Sequence, residues 1–439
     1  MLFWFFKNTN LFIFLTKFLI IIMPFYVIIK VYFDKVLGLW FFGFFIKEFI
    51  LLLLILILFY QYFLNKNNKK IKLKFDIIDY IIFAFIFYWI IITLINWLWI
   101  ANIFYWWRYD FLWFIVFLIF KHWRYFFDDI NSKKIINFRK LLNLFLLWWW
   151  ISLFFWLIVK FVIWEEILSL FGFTIEVSEF WFWWWIPMYQ WVEASWIRRF
   201  QWILDSPLAM GYYLILFLWV FLQINKKNID FSVIFWTLFL FSLIFITYSR
   251  AAMLWVIISW FILFLLNFKN ILKHFKKVFI VSSILGIIII SGLSYVFQDK
   301  INNVFLREWS TNWHTTRMIT WFNRFLEKPF WAWLAESWPA YRSVIKTETS
   351  LETDRYYIPE SWFVQILVEG GFIYLILFLS IIFIILQNLY KNNNLYLFLM
   401  FLWVLVMNMF LHVFEYTYIT ILLFMILGLF YRWWKLAKN

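Results

Sequence analysis

The chain has 439 residues, of which 66% are hydrophobic, 28% aromatic and only 14% charged, and its mean hydropathy is +0.85. A soluble domain cannot bury so much apolar surface, so the composition indicates an all-α, polytopic membrane protein. The net charge of +15 does not indicate a nucleic-acid partner, because most Lys residues fall in short loops, where they set membrane topology. Because the chain has no Cys, disulfides, thiolate metal ligands and Cys nucleophiles are excluded.

Apolar runs of spanning length divide the chain. A span needs about 20 mostly apolar residues, and we predict about twelve spans, at 10–32, 40–63, 77–98, 103–120, 141–163, 203–223, 231–248, 251–268, 278–297, 362–387, 395–413 and 417–433. Positive charge marks cytoplasmic loops, which are those containing Lys66–Lys74, Lys121–Lys140, Lys226–Lys227, Lys269–Lys277 and Lys391. Both termini are therefore expected in the cytoplasm.

This topology predicts three parts of the chain. Residues 1–297 hold helices 1–9, with an outward-facing loop at about 164–202. Residues 298–361 form a large extracytoplasmic loop, and residues 362–439 hold helices 10–12 and a cytoplasmic tail.

Tryptophan and glycine are unusually distributed, with 35 Trp and only 9 Gly, and some Trp occur in triplets such as Trp148–Trp150. Average glycine usage is about 7%, and membrane helices are usually richer in it. We hypothesise that many of these Trp are Gly in the native protein, as in bacterial lineages that read UGA as Gly. Mass spectrometry of the native protein tests this, and tryptophan codons that are all UGG would refute it.

Arginine is concentrated in the segments predicted to face outward: Arg108, Arg198, Arg199, Arg250, Arg307, Arg317, Arg324, Arg342 and Arg355. The positive-inside bias opposes this placement. The Arg guanidinium can grip phosphate bidentately, so an outward Arg cluster suits lipid-linked phosphates. Pairing with nearby Glu and Asp is the alternative, which we favour for Arg307, Arg342 and Arg355. We favour phosphate binding for Arg199, Arg250 and Arg317.

Two of these arginine segments lie beside spans. Arg250 occupies a short break between apolar runs, in TYSRAAMLW, where Ala251 and Ala252 allow close approach of another group. An ionisable residue there faces a cavity more often than lipid, although snorkelling of a helix-end Arg is the alternative. Arg198 and Arg199 precede Asp205-Ser206-Pro207, a predicted cap and first turn of a helix whose dipole favours anions.

The large loop begins with an amphipathic segment after Arg317. Ile319, Phe322, Phe325 and Leu326 share one helical face, which predicts a helix lying on the membrane surface or on the bundle. Pro329 is expected to end it.

The remaining candidate groups are few. We predict that His122 and His274 lie solvated in cytoplasmic loops, that His412 is a structural partner of Glu415 or a second acid or base, and that His314 is a reserve base. No cluster has metal-ligand spacing, and there is no P-loop or Rossmann motif.

Three motifs together resemble the O-antigen ligase and polymerase superfamily, over about residues 190–375. They are Arg199-Phe-Gln-Trp202 with Pro207, the SRAA stretch at Arg250, and a run from Arg317 through Trp321, Pro329 and Trp331-Ala-Trp333 to Glu360-Ser-x-x-x-Gln365-x-x-x-Glu369-x-Gly371. The family has Gly where this chain has Trp202, Trp331 and Trp333. Ligases have His where this chain has Glu360, which is either a general base or a helix-cap acid.

The resemblance implies a GT-C-like, metal- and cofactor-independent glycosyltransferase in the bacterial cytoplasmic membrane. It would move a glycan from a polyprenyl (undecaprenyl) pyrophosphate carrier to the hydroxyl of an acceptor glycan, lipid or protein on the outer face. Arg198, Arg199, Arg250 and Arg317 would bind the pyrophosphate, Arg250 and Glu360 being catalytic. A transporter or flippase of lipid-linked glycans is the alternative, although the chain shows no internal repeat. The Asp-centred motif of a peptidoglycan-type polymerase is not found.

Overall fold

The computed structural model describes residues 9–66, 75–95, 107–109, 111–127, 138–159, 165–173, 204, 206–226, 230–247, 249, 252–253, 258, 308–327, 329 and 361–437. Within these residues the fold is all-helical. The helices are α1 (Thr9–Ile22), α2 (Tyr26–Val31), α3 (Trp40–Lys66), α4 (Ile77–Ile95), α5 (Leu112–Phe127), α6 (Phe138–Ile158), α7 (Pro207–Asn225), α8 (Phe231–Ile246), α9 (Glu308–Glu327), α10 (Trp362–Lys391), α11 (Leu395–Phe410) and α12 (Thr417–Ala437).

Six candidate membrane spans occur among the described residues, judged by length and composition: Asn10–Val36, Phe45–Phe63, Ile77–Ile95, Lys140–Ile158, Pro207–Asn225 and Trp362–Lys391. Four shorter apolar helices, Leu112–Trp123, Phe231–Ile246, Leu395–Phe410 and Thr417–Tyr431, coincide with four more predicted spans. The predicted spans 251–268 and 278–297 lie almost wholly outside the described residues. The prediction of an all-helical membrane bundle is confirmed, while the count of twelve and the domain boundaries stay predictions.

Helix α7 lies at the centre of the bundle, where α6, α8, α11 and α12 pack around it. Its side chains are buried almost without interruption from Pro207 to Gln223. A helix that is apolar on all sides suits such a buried position. By contrast, α3, α4 and α10 expose rows of Phe, Ile and Leu on one side, as expected of helices that face lipid.

Helices α5 and α12 pack closely together. The absence of a side chain at Gly428 of α12 allows this approach, because a Cβ atom there would lie 2.6 Å from the carbonyl oxygen of Phe117. Small residues allow membrane helices to approach in this way.

One end of this helix pair carries a buried ionic cluster. Lys121 Nζ lies 2.6 Å from both Asp76 Oδ1 and Asp79 Oδ1, and His122 Nε2 lies 2.8 Å from Asp79 Oδ1. The prediction that His122 is solvated is therefore wrong. The helix continues to Phe127, beyond the predicted span end at 120, and this extension carries His122 against α4.

Several buried Trp side chains have an unsatisfied donor. The indole N–H groups of Trp113, Trp362 and Trp403 have no hydrogen-bond acceptor in the part of the chain that the structure describes. Burying such a donor typically costs about 1–3 kcal/mol. Glycine at these positions would remove the free-energy cost of the unpaired donors. Peptides that contain these positions are therefore good choices for testing, by mass spectrometry, the hypothesis that Trp stands for Gly.

Candidate functional site

Of the five predicted site residues, only Arg317 falls among the described residues. Glu360, Arg250, Arg199 and Arg198 lie outside them, so their predicted roles stay predictions. Arg317 is half-buried on α9. The described residues that flank the other four in sequence show how the surrounding segments are arranged.

Helix α9 packs on the first half of α10 and runs parallel to it. Trp321 and Phe325 form a buried cluster with Leu367 and Val368. Farther along both segments, the backbone N–H of Phe372 donates to the carbonyl of Pro329 at 3.1 Å.

This register fixes the level of Arg317. Residues four apart lie on the same helical face, so Arg317 precedes Trp321 by one turn on the face that packs against α10. Continuing the register of α9 on α10 places Arg317 level with the start of α10, where Ser361 caps the helix by accepting from Val364 N at 3.4 Å.

The apolar residues predicted to share one face of this segment differ in burial. Phe325 is buried against α10, but Ile319, Phe322 and Leu326 are exposed. Because the residues buried with Phe325 include Trp321, the contact face is rotated away from the predicted one. The exposed apolar side chains are suited to a lipid environment. Glu327 is the last residue of the helix, two positions before the predicted stop at Pro329.

A kink in α10 explains the motif residue Gly371. Its φ is 73° and its ψ is −173°, a conformation essentially reserved for glycine. The kink frees backbone groups for other partners: the Gly370 carbonyl accepts from Tyr88 OH at 3.2 Å, and Phe372 N–H reaches Pro329. Pro329 and Gly371, both part of the motif, therefore join at one contact.

The two other motif segments also meet. A Cβ atom built on Gly211 in α7 would lie 3.1 Å from Ala252 Cβ and 3.5 Å from Ser249 Cβ. The predicted close approach at Ala252 is thus confirmed. Ser206 caps α7 as predicted, since its Oγ accepts from Ala209 N at 3.0 Å and Pro207 follows it. The segment that contains Arg250 in sequence therefore packs on the first turns of the helix that follows Arg198 and Arg199.

Residues 411–416, which we call the α11–α12 connection, link these segments. Ser206 Oγ lies 2.8 Å from Tyr416 OH, at the end of the connection. Within it, Phe414 N donates to Oδ1 of Asn408 in α11 at 3.1 Å, and the Asn408 carbonyl accepts from Ser361 Oγ at 3.5 Å. Contacts therefore run without interruption from the start of α10 to the start of α7.

The α11–α12 connection holds a histidine and a carboxylate. His412 Nδ1 lies 3.1 Å from Glu415 Oε1, and both side chains are largely buried. This confirms that the two residues pair, as the sequence analysis had considered. The sequence did not reveal that the segment carrying this pair contacts the starts of both α7 and α10.

A second buried ionic group at this end was missed. Glu48 Oε1 lies 2.7 Å from both Lys47 Nζ and Arg108 Nε, and Lys47 Nζ lies 2.9 Å from Tyr26 OH. The sequence indicated this group only through Lys47 and Glu48, two adjacent charged residues inside an apolar run. Arg108 also lines a narrow cleft with Phe414 and Thr417, beside the α11–α12 connection.

Metal ligation has no candidate here, since the described residues contain no group of three His, Cys, Asp or Glu side chains arranged to hold a metal ion. The polar groups available at this end are cations, carboxylates, hydroxyls and one histidine. Such groups can bind an anionic lipid head group and transfer a proton.

Taken together, the apolar helices and their buried polar ends define a multi-pass membrane protein. Residues 233–379 match the family model described as O-antigen ligase, which supports the resemblance of this chain to the O-antigen ligase and polymerase superfamily. The matched segment runs from α8 through the segment of Ser249 and Ala252, α9 and the kink of α10. No match is found among curated proteins or solved structures.

Proposed function

We propose that this protein is a GT-C-like glycosyltransferase that moves a glycan from a polyprenyl pyrophosphate carrier to an acceptor hydroxyl. The reaction would take place at the outer face of a bacterial cytoplasmic membrane, with both termini of the chain on the inner side. The observation that carries the proposal is the O-antigen ligase match over 233–379, whose segments contact one another and the start of α7.

The arginines are proposed to bind the pyrophosphate. Arg317 is level with the start of α10, and Arg250 lies in sequence between Ser249 and Ala252, which pack on α7. Arg198 and Arg199 precede the capped N-terminus of α7, whose backbone N–H groups favour an anion. Positive charge at the bridging and leaving oxygens would stabilise the pyrophosphate as it departs. These cations replace a metal in the proposal.

Glu360 is proposed to act on the acceptor. It immediately precedes Ser361, the residue that caps α10 and donates to the carbonyl of Asn408 in α11. A carboxylate at this place can orient the acceptor by accepting a hydrogen bond, or can deprotonate it. The acceptor would be another lipid-linked glycan, a lipid core or a protein.

The proposal is tested by incubating the purified protein with a lipid-pyrophosphate-linked glycan and an acceptor, and by quantifying the lipid pyrophosphate released. We expect Arg250→Ala to lower the rate roughly 10²–10³-fold, as loss of an electrostatic transition-state contact does. Glu360→Gln should also lower it. An unchanged transfer rate of Glu360→Gln at subsaturating acceptor would remove that residue from the mechanism, and unchanged turnover in Arg250→Ala would do the same for the arginine.

A further inference from the structure

The α11–α12 connection lies beside the first turns of α7 and α10. It bonds to the cap of α7 through Tyr416 and Ser206, and the ring of Phe414 packs on Trp362 in the first turn of α10, with 5.0 Å between the ring centres. Both helix starts border segments of the proposed site. Ser361 directly follows Glu360, and Ser206 caps the helix that Arg198 and Arg199 precede in the sequence. The connection therefore contacts the first turns of both helices that the proposed reaction uses.

From this placement we propose that His412, held by Glu415, is the catalytic base that takes the proton from the acceptor hydroxyl. This inference rests on the proposed function and decides between the two roles left open for Glu360. The carboxylate of Glu360 then orients the acceptor, and His412 removes the proton.

The pairing of His412 with Glu415 suits this role. Glu415 Oε1 lies 3.1 Å from His412 Nδ1, so the carboxylate fixes the ring orientation and stabilises the imidazolium that forms on proton uptake. The second ring nitrogen, Nε2, is the atom that would receive the proton. The pair is mostly buried, which limits competition from water.

The positions of the other histidines favour His412. His122 belongs to the ionic cluster with Lys121 and Asp79, near the far end of α5. His314 is on α9, about one turn before Arg317. Continuing the register of α9 on α10 places His314 beyond the first residue of α10, where it has no part of that helix beside it. His274 lies outside the described residues, in a loop predicted to be cytoplasmic. His412 alone among the described histidines belongs to a segment that contacts the first turns of both α7 and α10.

The proposed step balances without any further reactant. The acceptor oxygen forms a bond to the anomeric carbon of the glycan as the bond from that carbon to the pyrophosphate oxygen breaks. The acceptor proton moves to His412 Nε2 and is then lost to water. The lipid pyrophosphate leaves with the bonding electron pair, and its charge is stabilised by the proposed arginines.

Several titratable or charged groups on the elements packed around the connection affect its pH response. Among the described residues they are Glu415 and Tyr416 of the connection, Tyr418 of α12, Tyr212 and Tyr213 of α7, Arg108 and Tyr109 beside the cleft, and Tyr26 and Glu48 behind Arg108. Of these, Glu415 is in direct contact with the His412 ring. We therefore expect Glu415 to dominate the environment of the proton.

The test measures the transfer rate against pH for the wild type, His412→Gln, Glu415→Gln and Glu360→Gln. His122→Gln is the matched control, because it removes another buried histidine from a carboxylate at the opposite end of the bundle. Rates are normalised to monodisperse, folded protein. We expect His412→Gln to lower kcat roughly 10²–10⁴-fold and to abolish the rise of rate with pH, the usual range for loss of a general base.

The other three variants separate the role of His412 from those of Glu415, Glu360 and His122. Glu415→Gln removes the charge that stabilises the protonated ring, so the midpoint of the rise should move to lower pH and the plateau should fall. Glu360→Gln should raise KM and keep the pH-dependent rise, and His122→Gln should keep both parameters. If His412→Gln does not fold, Glu415→Gln decides by the direction of its shift.

Three results would overturn the inference. Transfer by His412→Gln with the wild-type rate and pH profile would exclude His412 while leaving the proposed function intact. Loss of the pH-dependent rise in Glu360→Gln instead would assign the base to Glu360. Absence of any transfer by the wild-type protein would overturn the proposed function and this inference with it.

Discussion

The backbone N–H of Phe372 donates a hydrogen bond to the carbonyl oxygen of Pro329, with a nitrogen–oxygen distance of 3.1 Å. The bond is possible because the kink at Gly371 interrupts the internal hydrogen bonding of α10. It attaches the end of the α9 segment to a membrane helix and fixes the parallel register of the two. Through that register, the level of Arg317 depends on a glycine 54 positions later in the chain.

Replacing Gly371 by Ala should destabilise the protein and detach α9. A side chain in this backbone conformation costs about 1–3 kcal/mol. We expect a lower midpoint in thermal unfolding followed by size-exclusion chromatography, together with reduced transfer. Gly38→Ala is the control, since Gly38 also has positive φ, 66°, but has no heavy atom within 4 Å of its built Cβ. It should lose stability and retain transfer per folded molecule. Equal loss of transfer in both variants would contradict the account.

Arg317→Gln should weaken donor binding more than Arg324→Gln. Both residues are on α9, but Arg324 lies over the Trp321 ring, 4.8 Å from its centre. The proposal requires Arg317 to face the pyrophosphate, so its loss should lower kcat/KM roughly 10²-fold or more, whereas Arg324→Gln should stay close to the wild type. Steady-state kinetics with purified donor distinguish the two, and equal kinetics would mean that the register of α9 on α10 does not place Arg317 at the site.

The contact of Ser206 with Tyr416 should stabilise the bundle beyond ordinary helix capping. Ser206→Ala removes both the cap of α7 and a 2.8 Å side-chain hydrogen bond. Asp230→Ala removes only the cap of α8, where Asp230 Oδ1 accepts from Val233 N at 2.9 Å, and typically costs about 0.5–2 kcal/mol.

The coupling is measured by denaturant titration of Ser206→Ala, Tyr416→Phe and the double variant in detergent. We expect a coupling free energy of about 0.5–1.5 kcal/mol, the usual net value of such a hydrogen bond. Additive effects of the two substitutions would show that the contact does not hold the connection to α7.

Asp79→Ala should be among the most destabilising single substitutions. It would remove the fully buried one of the two carboxylates that lie 2.6 Å from Lys121, and with it the partner of His122. Breaking a buried ion pair typically costs about 3–5 kcal/mol. Asp34→Ala breaks a half-buried pair with Lys35 at 3.7 Å and should cost less than about 1 kcal/mol. Denaturant titration compares them, and similar unfolding midpoints would refute the importance of the Asp79 cluster.

Local patterns in the sequence predicted local structure well. The Asp205-Ser206-Pro207 run predicted the cap and first turn of α7, and apolar run length predicted ten segments that are apolar helices. The pairing of His412 with Glu415 was within reach because the two are three residues apart. Such features depend on neighbours in the chain, which a single sequence displays directly.

Contacts between distant segments were not predictable in the same way. Glu48 and Arg108 are sixty positions apart, and nothing in either segment identifies the other as its partner. His122 looked solvated because its neighbours are basic, yet Asp79 of α4 buries it. On α9, apolar spacing grouped Phe325 with Ile319, Phe322 and Leu326. Of these four only Phe325 joins Trp321 in the contact with α10. Periodicity cannot tell a face that meets lipid from one that meets protein, since both are apolar.

The most direct test of the central claim follows the donor and the product in the same vesicles. The purified protein is reconstituted into liposomes with a polyprenyl pyrophosphate-linked glycan and an acceptor, and both free lipid pyrophosphate and glycosylated acceptor are quantified by mass spectrometry. The account predicts that the two products appear in equal amounts and that Arg250→Ala suppresses both. Movement of intact donor between the leaflets without release of lipid pyrophosphate would contradict it and identify a transporter instead.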